Sequence, residues 1–146
     1  MSTDLLVTKT IAIHAPAAQV WQVLTDSESI KEWLSDTGTL QIRTDWQVGG
    51  PFVYFGTWHG VRYQTKGTLL QLEPEKVLQY NHWSRISRLP DRPENYAVVE
   101  FRLAPEENHT RLVLTHSNLV GEAAVQHANL YWNATLQKVK RLAETR

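Results

Sequence analysis

The chain has 146 residues, fifteen basic and fifteen acidic, for a formal net charge of zero, and its 42% apolar content is enough for one core, so a single domain over residues 1–146 is expected. The balanced charge removes the broad attraction on which nucleic-acid and anionic-membrane binding usually rest. With no cysteine there is no disulfide framework, thiolate metal site or cysteine nucleophile, and the composition suits a reducing cytosol. No basic and then apolar leader opens the sequence, and no stretch approaches the ~20 apolar residues of a membrane span, so a cytoplasmic location is expected.

Val7, Ile11 and Ile13 share one side of an alternating run, a half-buried strand that stops at Ala15-Pro16. Pro16 suits a first helical position, where its missing N–H is no loss, and Val20, Trp21 and Leu24 give the helix an apolar side. Thr25 with Glu28 three places on has the form of a capping box for a second short helix carrying Ile30, Trp33 and Leu34. From Gly38 the period drops from 3.6 to 2, with Leu40, Ile42, Thr44 and Trp46 on one face of a strand. Val48-Gly49-Gly50 makes a turn, after which Phe52, Tyr54 and Trp58 alternate with Val53, Phe55 and Thr57, and His59-Gly60 reads as the next hairpin.

Tyr63, Thr65, Gly67 and Leu69 share one face of a further strand, Glu73-Pro74-Glu75-Lys76 breaks it, and Leu78, Tyr80 and His82 share a face of the one after. Ser84 to Pro93 has no periodicity, holds Arg85, Arg88 and Arg92 with two prolines, and is expected to be a mobile surface loop. Ala97, Val99, Phe101 and Leu103 alternate up to a turn at Pro105-Glu106-Glu107-Asn108, and Leu112, Leu114 and His116 alternate after it. Ser117-Asn118 offers an N-cap for a long helix out to about Arg141. Its stripe of Val125, Ala128, Trp132, Leu136, Val139 and Ala143 must be buried against the sheet, while Gln126, His127, Asn133, Gln137, Lys140 and Arg141 face water.

Several phrases stand in a fixed order along nearly the whole chain. They are Ala15-Pro16 with Val20-Trp21 and Leu24, then Trp33, Val48-Gly49-Gly50 with Phe52 and Tyr54, Leu78 with Tyr80, and Thr110-Arg111-Leu112 running to Thr115-His116. In that order they resemble the SRPBCC, or START-like, helix-grip superfamily, and within it the family named for homologues of the activator of the heat-shock protein 90 ATPase. The resemblance implies an α+β helix-grip fold: a curved antiparallel sheet of about seven strands wrapped around the long C-terminal helix, with two short helices after the first strand. It also implies a cavity between sheet and helix that in many relatives takes up an apolar or amphipathic small molecule. It implies no single reaction, since lipid carriers, hormone receptors, polyketide cyclases and a chaperone activator share the fold. The activator itself carries a separate domain in front of this module, for which 146 residues leave no room.

If Phe52, Tyr54 and Leu78 point inward, period-2 geometry brings Trp58, Tyr63, Tyr80, His82, Phe101, Leu114 and His116 to the same concave side, facing Trp132 and Leu136. Rings with polar tips in an apolar wall are the usual make-up of a small-molecule site, so Phe52, Tyr54, Trp58, Tyr63, Tyr80, His82, Phe101, Leu114, His116, Trp132 and Leu136 are the candidate ligand-binding residues. His82 stands where the family commonly has an aromatic residue, and a buried imidazole needs a partner: Tyr63, Tyr80, a backbone carbonyl, water or the ligand. His116 is read as an architectural hydrogen bond at the strand–helix joint. The remaining histidines, His14, His59, His109 and His127, have no metal spacing, and neither a nucleophile elbow nor a paired general acid and base is present, so no metal, cofactor or catalytic residue is expected.

Three readings of function follow. A hydrophobic small-molecule binder or carrier leads, with the loop arginines available to an acidic ligand group. A cyclase- or dehydrase-like enzyme would rest on His82, Tyr54 and Tyr80. A protein-interaction module, with Val53 and Phe55 on the outer face marking a partner or homodimer patch, is the third.

Overall fold

The computed structural model describes residues 5–57 and 60–146, apart from 35–39, together with the backbone of Trp58. The expected start of the second strand at Gly38, the ring of Trp58 and His59 of the expected hairpin lie outside the described residues.

Strand β1, Leu5–Ile13, runs into helices α1, Ala17–Thr25, and α2, Ser27–Leu34. Six strands follow: β2, Gln41–Thr44; β3, Phe52–Trp58; β4, Val61–Lys66; β5, Leu69–Glu73; β6, Val77–Ser84; and β7, Ala97–Pro105. Strand β8, Thr110–Leu119, then leads to the long helix α3, Glu122–Glu144. All pairings are antiparallel, in the order β1-β8-β7-β6-β4-β3-β2, with β5 also on β6, so the sheet has eight strands.

The eighth strand arises where a single one was expected from Tyr63 to Leu69. The chain breaks at Gly67-Thr68, and β4 and β5 take opposite ends of β6, as Thr65↔Ser84 and Leu69↔Tyr80 record. Asn81 holds the break: its side-chain Oδ1 accepts from Thr68 N–H at 2.7 Å, and its own N–H donates to Thr68 O at 3.1 Å. Gly67 is required there, since a Cβ would stand 1.8 Å from the Asn81 carbonyl oxygen.

Helix starts also differ from expectation. Pro16 is the cap residue of α1, with extended backbone, and not its first helical residue. Asp26 supersedes the Thr25/Glu28 capping box for α2, because its carboxylate accepts from Ser29 N–H at 3.1 Å and Ser29 Oγ at 2.8 Å, while Thr25 Oγ1 donates back to Trp21 O. Ser117 and Asn118 belong to β8, and Gly121 with φ 88° opens α3.

The stripe on α3 buries as its spacing requires: Ala128, Trp132, Leu136, Val139 and Ala143 are all closed off, and Val125 partly so. Its C-terminal half packs on β1 and α1, and Lys140 Nζ donates to Ala12 O at 3.0 Å. Three hydrogen bonds fix the elbow between strand and helices: Trp33 Nε1–H to Val23 O at 2.9 Å, Thr110 Oγ1–H to Ala15 O at 2.7 Å, and Tyr131 O–H to Leu34 O at 3.0 Å. Between sheet and helices, Trp33 and Trp132 each meet Phe101 edge to face at 5.7 Å, and Phe52 stacks on Tyr80 at 4.2 Å.

Candidate functional site

Where α3's C-terminal half is packed tight, its N-terminal half stands off the sheet. A space of about 540 Å³ lies beneath it, walled on α3 by Ala124, His127, Ala128, Tyr131 and Trp132. The sheet contributes Tyr54, Tyr63, Thr65, Tyr80, His82, Val99 and His116, the end of α2 contributes Leu34, and the segment after β6 contributes Ile86 and Leu89. A larger groove of about 890 Å³ runs along β4 past Arg62, Lys66 and Asp91, but Lys66 is already ion-paired with Asp91 and lies 5.5 Å over the Trp83 ring.

Of the candidate residues read from the sequence, Tyr54, Tyr63, Tyr80, His82, His116 and Trp132 come together on the wall of the smaller space. Phe52, Phe101, Leu114 and Leu136 lie instead in the solid core beside it, each nearly or wholly closed off. Sequence reasoning missed Leu34, Val99, Tyr131 and the α3 alanines as wall residues. Val99 was within reach, since it alternates in phase with Phe101.

The segment Ser84 to Pro93, expected as a mobile surface loop, lies largely on the surface and is a hydrogen-bonded turn. Two single turns of 3₁₀ helix, Arg85–Ser87 and Pro93–Asn95, punctuate it, and Trp83 Nε1–H donates to Leu89 O at 3.1 Å. Asn118, at φ 58°, ties it to β8 through Nδ2, which donates to Glu94 O and Tyr96 O at 2.9 Å each. Ile86 and Leu89 reach the space, whereas Arg85, Arg88 and Arg92 are exposed and not among its wall residues, so those arginines are poorly placed to meet a ligand there. Outside, the Phe55 ring is covered by the Arg43 guanidinium at 5.6 Å.

The polar centre of the wall is a chain of three rings. His82 pairs in register with Ala97, and His116 with Val99, which sets the two imidazoles diagonally across β7 with small Ala97 between. Their Nε2 atoms are 2.9 Å apart, and Trp132 Nε1 is 3.0 Å from His116 Nδ1. His82 is therefore partnered by His116, which was not among the partners considered from sequence, and His116 faces the space instead of merely closing a joint.

An indole N–H only donates, so His116 Nδ1 must accept and its proton sits on Nε2. That proton is donated to His82 Nε2, which leaves the His82 proton on Nδ1. Both rings are neutral in this arrangement, and burial reinforces it. Burial lowers His82 to about 4; burial first, then neighbouring His82 and His127, lowers His116 to about 3. Among the described residues His82 Nδ1 has no hydrogen-bond partner, and no unpartnered side-chain nitrogen or oxygen is sealed off, so this N–H opens on the space its ring lines.

The tyrosines supply further tips. Burial raises Tyr54 and Tyr80, with the Tyr131 hydroxyl adding to both, so both phenols stay protonated. Tyr63 lies across Gly56, where a Cβ would come within 2.6 Å of its hydroxyl oxygen. Among the described residues no group of three or more acidic, histidine or cysteine side chains is arranged to hold a metal.

A sheet gripped by one helix, with two short helices at the first corner and a ring-lined space under the grip, is the helix-grip class of protein. The family model described as Activator of Hsp90 ATPase homolog 1-like protein matches residues 14–144, and the chain belongs to that family. Among solved structures it is similar to protein ChR145 from Cytophaga hutchinsonii, 34% identical with a TM-score of 0.85 over 99% of this chain and 97% of that one. It is also similar in fold to CV1439 from Chromobacterium violaceum, at 19% identity and TM-score 0.80, covering 95% of this chain and 97% of that one. The Aha1 dimer from Colwellia psychrerythraea shares the fold at 23% identity and TM-score 0.73, over 95% and 96% of the two chains. No curated protein matches. No helix among the described residues is long and apolar enough to cross a membrane.

Proposed function

We propose that this protein binds a small hydrophobic or amphipathic molecule, of lipid or aromatic type, between the sheet and the N-terminal half of α3. The observation that carries this reading is the space of about 540 Å³ under the helix, within the ~300–1,000 Å³ usual for ligand pockets and walled by apolar side chains with a few polar tips. A two-ring guest that buries about 200 Å² of apolar surface gains roughly 5 kcal/mol before the costs of association. Binding is favoured over proton abstraction because the His82 lone pair is engaged by His116, leaving the cavity a donor and no base at that ring.

The test is tryptophan fluorescence titration, backed by native mass spectrometry, with naphthalene derivatives, sterols and fatty acids. Trp83 and Trp132 on the wall report occupancy, and Ala124→Trp, which fills the mouth from α3, should remove it. No uptake of any compound by the native chain defeats the proposal. A partner-binding role is the second reading, favoured by the family match and by the dimeric Colwellia psychrerythraea relative. Light scattering for a homodimer and a chaperone ATPase assay separate it from the first.

A further inference from the structure

The direction of the hydrogen-bond chain decides what the cavity accepts, provided the cavity binds a ligand as proposed above. Trp132 is a donor only, and it fixes each proton down the line to His82. Tyrosine and threonine hydroxyls on the wall turn to donate or accept, so they do not discriminate. His82 Nδ1–H is locked as a donor by the two rings behind it, whose own nitrogens are already engaged with one another. Among the described residues the wall carries no Lys, Arg, Asp or Glu, and its third imidazole, His127, is exposed on α3, so no permanently charged side chain there compensates a ligand charge that has left water.

We propose that the cavity selects uncharged carbonyl compounds, with a ketone, aldehyde or ester oxygen accepting from His82 Nδ1–H and an apolar or aromatic body between Val99 and Ala128. A group that can only donate, such as an ammonium or a pyrrole N–H, meets another donor at this point. A carboxylate finds the acceptor geometry it wants but must shed its water with no lysine or arginine on the described wall.

Three probes of similar shape separate these cases: 2-acetylnaphthalene carries the acceptor, 2-isopropylnaphthalene lacks it, and 2-naphthoate is charged. The ketone should bind the native chain about tenfold tighter than either of the others, as one satisfied hydrogen bond implies. His82→Phe should erase the advantage of the ketone over the hydrocarbon, read as the ratio of the two affinities in the same variant. Equal binding of ketone and hydrocarbon by the native chain overturns the selectivity while leaving the cavity reading intact, and binding of none of the three removes both.

Long-range ¹H–¹⁵N spectra of the native chain test the same point without a variant. His82 should be the Nδ1–H tautomer and His116 the Nε2–H tautomer. The reverse assignment, or a charged ring at neutral pH, overturns the proposal.

Discussion

Acidification probes the ring chain most directly, because burial holds both imidazoles neutral far below the usual histidine range. His82 is lowered to about 4 and His116 to about 3, against about 6.5 in an unfolded chain, and the charged or titratable neighbours that face them are each other and His127 on α3. Well above pH 6.5 both states are neutral and the rings add no pH dependence. As pH falls from there the unfolded chain takes up protons that the folded one refuses, so stability declines, and the decline levels off only below the folded values. Each ring contributes a little over ~1 kcal/mol per pH unit, so the pair costs roughly 3–4 kcal/mol between pH 7 and pH 5. That is a large part of the ~5–15 kcal/mol of a typical domain. Urea unfolding followed by tryptophan fluorescence at the two pH values measures the loss, and ring ¹H–¹³C titration assigns it to His82 and His116. Ring titrations near 6.5, or a stability difference under ~1 kcal/mol, would refute the buried neutral pair.

Three further substitutions test the fold around the site, each read by urea or thermal unfolding. Gly67→Ala drives a methyl to 1.8 Å from Asn81 O and should cost about 3 kcal/mol, whereas an unchanged midpoint would mean that β4 and β5 do not part there. Thr110→Val removes the donor to Ala15 O and should cost about 1 kcal/mol with secondary structure intact by circular dichroism. Asn118→Ala loses both carbonyl contacts and strains φ 58°, for about 1–2 kcal/mol; Asn118→Gly should recover only the strain, and equal loss in the two would place all of Asn118's contribution in the hydrogen bonds.

The sequence made much of this architecture legible, because alternation and helical spacing are local and the core obeys them. Val99, Phe101 and Leu103 bury on one side of β7, and the α3 stripe from Ala128 to Ala143 buries as spaced. What it hid depends on distant partners. Alternation runs unbroken from Tyr63 to Leu69, yet the strand is cut by Asn81, thirteen residues beyond Thr68. His82 and His116 are 34 residues apart, and they meet only through the register of two strands on β7. Period-2 reading puts Phe101 and Tyr80 on one face without saying which packs solid. That depends on where α3 leaves the sheet, so Phe52, Phe101, Leu114 and Leu136 fell to the core and Tyr54, Tyr80 and His82 to the space. Capping was misread for a similar reason, since Ser117-Asn118 has cap chemistry but extends β8 and anchors the neighbouring turn.

Isotope-filtered NOE spectra of the ¹³C-labelled chain with unlabelled 2-acetylnaphthalene test the central claim that the space under α3 holds a guest. The account predicts cross-peaks from the probe to the methyl groups of Val99 and Ala128 and to the Trp132 ring. Cross-peaks confined to Val61 and its neighbours in the outer groove, or none at all, would contradict it.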